Sequence, residues 1–304
     1  MPRFGLLLKS YAADLPYATQ LIASFNAHNP TGLPLYCVVP VEDVPAFASL
    51  GGPHVTILSE EPLAHYFTPT PVHGIRPGYI NQEIVKLSFW ELDLVDIYFC
   101  IDSDALFIRD IFLSDFIAPD GSPYTVLVED KDLQAEPAYF RDHWQSRERS
   151  IRAIAGAVGL SDDVLRTCHG HQVFSSDVLS HFRNDFLSPR DWTYLDALTL
   201  APYEFTWYNF WLQKTQLIPI HQREPFVKVF HNEGQYLEFV MRGTTTSDLA
   251  RAYLAVVVNS NFSRDKGVVS LNQSKTDALA PMLSYGEYVA LGWNKIKASI
   301  RRHS

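Results

Sequence analysis

Residues Ile97-Tyr98-Phe99-Cys100-Ile101 are apolar at every position, and Asp102-Ser103-Asp104 follows them at once. A run this short is a strand rather than a helix, and one apolar on both faces must be covered on both sides. It therefore predicts a central strand of a mainly parallel sheet. In such sheets ligands bind beyond the carboxyl ends of the strands, where these two aspartates fall.

The rest of the first half agrees with that placement. Phe4 to Leu8 reads as a first strand, and Leu15, Ala18, Ile22 and Phe25 recur at helical spacing within Asp14 to His28. Leu33 to Pro40 reads as a buried strand closed by proline, Val41 to Leu50 as a short helix and Val55 to Leu58 as a third strand. After a Pro/Gly/His loop from Thr68 to Gly78, a helix is expected over Ile80 to Asp93. Alternating strands and helices predict a doubly wound α/β sheet.

The second half is less regular. It offers a polar helix from Pro137 to Val158, a strand at His171 to Ser175 and an aromatic helix from Tyr203 to Leu212. Further strands are expected near Leu217–Ile220 and Phe226–Phe230. No linker or repeat divides the chain.

At 304 residues, 47% of them hydrophobic and 19% charged, the chain can bury a substantial core. A formal charge of −9 opposes a phosphate backbone, and no basic stripe provides a local exception, so nucleic acid is not an expected partner. Cys37, Cys100 and Cys168 are too scattered for a disulfide framework or a zinc site and read as buried thiols of a cytoplasmic protein. Lys9 and Asp14 interrupt the N-terminal apolar run, which argues for a strand and against a signal peptide. No apolar run is long enough to span a membrane, the nearest lying around Ala252 to Val258. The segment from Asn294 to His303 is basic without an acid; it is either a frayed terminus or a peripheral membrane contact.

Asp102 and Asp104 carry the strongest chemical signal. Two carboxylates brought together resist ionising unless a cation compensates them, which suits Mg²⁺ or Mn²⁺ with diphosphate oxygens completing the shell. Such an ion offsets charge on a departing nucleoside diphosphate. The alternative is a turn or helix cap.

With Ser10-Tyr11 and Asp14 after the first strand, Val39-Pro40 after the second, Asn81 to Leu87 before the motif and Asp102-Ser103-Asp104 itself, the sequence resembles bacterial GT-A glycosyltransferases, in particular a group linked to cell-surface polysaccharide synthesis. His171-Gln172-Val173-Phe174 resembles a strand that follows an acceptor-side loop, and Glu204 to Tyr208 a Glu-Tyr-x-x-Tyr segment with Phe205 in place of tyrosine. The resemblance implies a GT-A-like, Rossmann-like catalytic domain over residues 1–240. Its nucleotide-binding half covers about 1–130 and its acceptor-side half about 131–240, with a helical C-terminal extension over 241–304.

It further implies a nucleotide-sugar donor and a glycan or lipid-linked acceptor. Ser10, Tyr11, Asp14, Lys86, Asp102 and Ser103 would face the donor, and Asp102, Asp104 and His231 would hold Mn²⁺ or Mg²⁺. Tyr11 and Asp14 could instead pack or cap, and Lys86 could instead form a solvated pair with Glu83. Glu204 is the first choice for a base acting on the acceptor hydroxyl, or else a first-turn acid favoured by the helix dipole. His169, Gly170, His171 and Tyr208 would lie on the acceptor side.

Two rival readings remain. An apolar strand ending in Asp-x-Asp also occurs in phosphatases of the haloacid dehalogenase type, with Asp102 as nucleophile, although about a hundred residues precede it here. A protein that binds a sugar nucleotide without turning it over is the other.

Overall fold

The computed structural model describes residues 2–127, 137–161, 166–168, 170–230, 235–236, 239 and 243–258. The first half forms β1 (Phe4–Lys9), α1 (Leu15–Ala27), β2 (Leu35–Val39), α2 (Val44–Phe47), β3 (Val55–Ser59), α3 (Pro77–Ser88) and β4 (Ile97–Ile101). Pro16 in the first turn of α1 and Pro77 opening α3 sit where a missing N–H costs nothing. The expected helix over residues 41–50 is broken into a 3₁₀ turn, α2 and a second 3₁₀ turn, and its Pro45 also opens a helix.

Beyond β4 lie β5 (Ala105–Phe107), α4 (Leu113–Phe116), β6 (Tyr124–Thr125) and the long α5 (Pro137–Val158). β7 (Val173–Ser175), α6 (Ser176–His181), α7 (Tyr194–Leu200) and α8 (Glu204–Thr215) follow. The described chain ends with β8 (His221–Gln222), β9 (Val227–Phe230), α9 (Thr246–Leu249) and β10 (Ala255–Val258).

The main sheet has the order β3-β2-β1-β4-β7. Strands β3, β2, β1 and β4 are parallel, and β7 closes the edge antiparallel to β4. β4 is buried along its whole length, as its sequence requires, and pairs with β1 in the register Leu8↔Ile101. The fold is thus mixed α/β with a mostly parallel central sheet flanked by helices.

Two expectations for the second half are corrected. Leu217–Ile220 is not a strand: Gln216 closes α8 in the left-handed conformation, and pairing begins at His221, where β8 runs beside β6. The region beyond residue 240 does not begin as a purely helical extension, because β10 lies between β5 and β9 in a second sheet. Of the apolar stretch around Ala252 to Val258, Leu254 to Val257 are buried at this sheet, while Ala252 is exposed in the turn before it. Among the described residues no helix is long and apolar enough to cross a membrane. The basic segment and the rest of the extension lie outside the described residues.

On one side of the main sheet Phe116 meets Phe4, Phe99 and Phe226, and Phe99 also meets Phe226, with ring centroids 4.9 to 5.6 Å apart. On its other side Phe174 meets Tyr98 and Tyr208. Aromatic packing of this kind adds to the area burial that drives collapse around β4. All three cysteines are buried and unpaired.

Candidate functional site

From β1 the chain runs outward through β2 and β3, then returns across the sheet to β4 on the opposite side of β1. The connections leaving β1 and β4 diverge, which opens a crevice at the carboxyl ends of these two strands. β1 delivers Ser10 and Tyr11 to it, and β4 delivers Asp102-Ser103-Asp104. The two walls are tied together where the Ser103 hydroxyl donates to Asp14 at 3.1 Å. Ser10 is buried, and its hydroxyl has no hydrogen-bond partner among the described residues. Tyr11 is half-buried under the guanidinium of Arg76, 5.9 Å from the ring centroid.

A turn does form after β4, but the backbone of Asp102 makes it: its carbonyl accepts from the amide of Ala105 at 3.1 Å. The carboxylate of Asp102 is left to other partners. Its Oδ1 accepts from Lys86 Nζ at 3.1 Å and from Gln82 at 3.4 Å, while its Oδ2 lies 3.5 Å from His171 Nε2. Its side chain keeps 35% of its surface exposed. Burial works against ionisation, but Lys86 and then His171 outweigh it and hold the carboxyl below the usual aspartate range. Asp104 is half-buried beside it.

α3 supplies the cation. Gln82 and Lys86 are one turn apart and face the same way, and the helix is pinned to β4 where Tyr98 donates its hydroxyl proton to the carbonyl of Lys86. Lys86 is buried and also donates to Glu204 Oε1 at 3.0 Å, at the first turn of α8. Burial alone would lower its pKa, and Asp102 and Glu204 reverse the sign, keeping it charged. A solvated pair with Glu83 is therefore not what forms, and phosphate contact would require this ammonium to leave two carboxylates. Glu83 is itself buried; burial first, then Glu204, raises its pKa well above the ordinary carboxylate value.

β7 supplies His171. The amide of Cys100 donates to the carbonyl of Gln172, which places His171 beside Asp102, just past the end of β4. His171 has φ +55°, a conformation that is uncommon for a side chain larger than glycine and that clusters at functional sites. It is thus brought beside Asp102. Gly170 next to it is half-buried.

Two other expected residues occupy different settings. Tyr208 is fully buried, stacks on Phe174 at 4.4 Å and accepts from the amide of Ser175, so it presents no surface to an acceptor. Glu204 has 7% of its side chain exposed and is bound to Lys86, which leaves little room for it to meet an acceptor hydroxyl as a base. His169 and His231 lie outside the described residues. Arg76 belongs to the site and was not singled out in the sequence, whereas Gln82 and Glu83 were read there only as part of the Asn81 to Leu87 segment, with Glu83 as a solvated partner of Lys86.

No group of three His, Cys, Asp or Glu side chains among the described residues is arranged as a ready metal centre. The donor chemistry nonetheless fits a divalent cation. Asp102 is ionised and partly open, Asp104 is adjacent, and oxygen is the donor that Mg²⁺ prefers and Mn²⁺ accepts.

No protein-family model matches the chain, and no curated protein matches it. Among solved structures, mouse xyloside xylosyltransferase 1 in its apo form aligns at 12% identity with a TM-score of 0.44, covering 85% of this chain and 98% of that chain. A similarity at that score carries no argument, and the site stands on its own geometry.

Proposed function

We propose that the chain is a metal-dependent glycosyltransferase that takes a sugar from a nucleotide-sugar donor bound in the crevice between β1 and β4. One observation carries this reading. Asp102-Ser103-Asp104 closes the central strand at the crevice, and Ser103 is hydrogen-bonded across it to Asp14 beyond β1.

In the transfer, the bond between the anomeric carbon and the diphosphate breaks with its electron pair going to the diphosphate, a bond from that carbon to an acceptor oxygen forms, and the hydroxyl proton passes to the departing diphosphate or to solvent. A divalent cation held by Asp102 and Asp104 would offset the charge that builds on the departing diphosphate. Lys86, Gln82 and His171 fix the Asp102 carboxylate before the donor arrives, so that no reorganisation is needed during reaction. Ser10 offers a buried hydroxyl and Tyr11 an aromatic face at the β1 wall. The acceptor we infer is a glycan or lipid-linked glycan of a surface polysaccharide, an inference that rests on sequence resemblance alone.

Calorimetric titration with UDP, GDP, dTDP and CMP, each with Mn²⁺ and with EDTA, tests the proposal. One nucleotide that binds with Mn²⁺, and is lost in Asp104→Ala, is the expected result. A panel without any binder would overturn it, and trapping of a phosphate analogue on Asp102 would replace it with the phosphatase reading.

A further inference from the structure

We propose that Glu204 is a positioning residue that takes up part of the Lys86 charge, so that Asp102 retains negative charge for a divalent cation. The inference rests on the metal-assisted reading of the site and assigns Glu204 a part in it that does not involve touching the substrate.

The Lys86 ammonium stands almost equally between two carboxylates, 3.0 Å from Glu204 Oε1 and 3.1 Å from Asp102 Oδ1. The two partners differ in setting. Glu204 and Lys86 expose 7% and 6% of their side chains, whereas Asp102 exposes 35%. Only the Asp102 end of the triad is open to a ligand. The Lys86 ammonium also lies 4.8 Å from the centroid of the Phe205 ring, so α8 meets it with both a carboxylate and an aromatic face. Glu83, one turn away on α3, receives no hydrogen bond from Lys86 among the described residues.

In this low-dielectric setting a single ammonium facing a single carboxylate would form a closed pair, and a divalent cation would have to compete with it for Asp102. Sharing the ammonium with Glu204 weakens that competition while still orienting Asp102. It also links the two halves of the chain, because Lys86 belongs to α3 in the donor half and Glu204 opens α8, 118 residues later.

The test uses the full chain and Mn²⁺ alone, followed by electron paramagnetic resonance of the free ion, with a circular-dichroism melt of every variant. Glu204→Gln keeps the shape and deletes the charge; it is expected to weaken Mn²⁺ binding roughly tenfold, the lower range for a close charge contact. Adding Lys86→Met to Glu204→Gln removes the competing ammonium as well and should return affinity to within about threefold of the parent, since a buried pair can be replaced whole. In an Asp102→Asn background, Glu204→Gln should cause no further loss. If Glu204→Gln does not fold, Glu204→Asp, which keeps the charge but draws it back, should show a smaller weakening.

Unchanged affinity in Glu204→Gln with a shifted melt would mean that Glu204 is only structural and would overturn the inference. Equal weakness in the single and double variants would overturn it too. A parent protein that binds no Mn²⁺ would overturn the metal reading itself, a result visible before any variant is made.

Discussion

Tyr98 on β4 donates its hydroxyl proton to the backbone carbonyl of Lys86, 2.6 Å away, and four residues on, just past the end of that strand, Asp102 accepts from the side chain of the same lysine. One strand therefore fixes both the helix and the ammonium it carries.

Tyr98→Phe tests this arrangement. The ring stays in its buried slot and only the hydroxyl is lost, so the expected cost is about 1 kcal/mol in a urea unfolding series. Because α3 is then held less firmly, Mn²⁺-dependent nucleotide binding should weaken as well. Unchanged binding with the full stability loss would separate the two roles.

Asp104→Ala should abolish Mn²⁺-dependent nucleotide binding while moving the melt little, because Asp104 is half-buried and contributes little packing. Calorimetry on the parent and the variant in the same buffer reads both. Retained metal-dependent binding would remove Asp104 from the site.

Glu83 predicts a pH dependence of stability. Burial, followed by Glu204, raises its folded pKa well above 4.5, so the folded state holds the proton more tightly than the unfolded chain. Its contribution is complete below 4.5 and is lost as pH rises from there through the folded pKa. Glu83→Gln mimics the protonated acid and should flatten that decline, giving a relative gain at neutral pH. Chemical denaturation at pH 5 and pH 8 checks it; an equal decline in both proteins would mean that Glu83 is ionised.

The first half of the fold was legible because its signals are local. The apolar runs of β1, β2, β3 and β4 and the helical spacing in α1 and α3 each reflect a single element meeting the core. The crevice followed from them, since the ends of β1 and β4 are fixed once strands and helices alternate. The second half was not legible in the same way. β7 joins antiparallel to β4, and β10 is inserted between β5 and β9; both are pairings between segments far apart in sequence. Nothing in the short run at 171–175 states its direction.

The same limit applied to the site. Asp102 and Asp104 could be read from one window, but the partner of Lys86 could not, because Glu204 lies 118 residues away. The nearest acid in sequence, Glu83, was the natural choice for a pair, yet it is buried and takes no hydrogen bond from Lys86 among the described residues. His171 was placed on the acceptor side by its sequence neighbours and is brought to Asp102 by the pairing of β7 with β4.

That pairing rests on a buried amide pair, and Asn209→Leu should expose how far the site depends on it. Gln172 donates to Asn209 at 2.7 Å and accepts from the amides of Val126 and Val173, while Asn209 also donates to the carbonyl of Val126. Leucine has nearly the same volume but leaves the Gln172 amide with one fewer acceptor in a fully buried position, at a cost of about 1–3 kcal/mol. Gln172 also receives the Cys100 amide through its carbonyl and carries His171 next to it, so a shift in its backbone moves the group that faces Asp102 Oδ2. Asn209→Leu is therefore expected to lower both the urea midpoint and the Mn²⁺ affinity, whereas a surface substitution of equal stability cost would lower only the first. An unaltered Mn²⁺ affinity in a clearly destabilised Asn209→Leu protein would show that His171 is held by β4 alone.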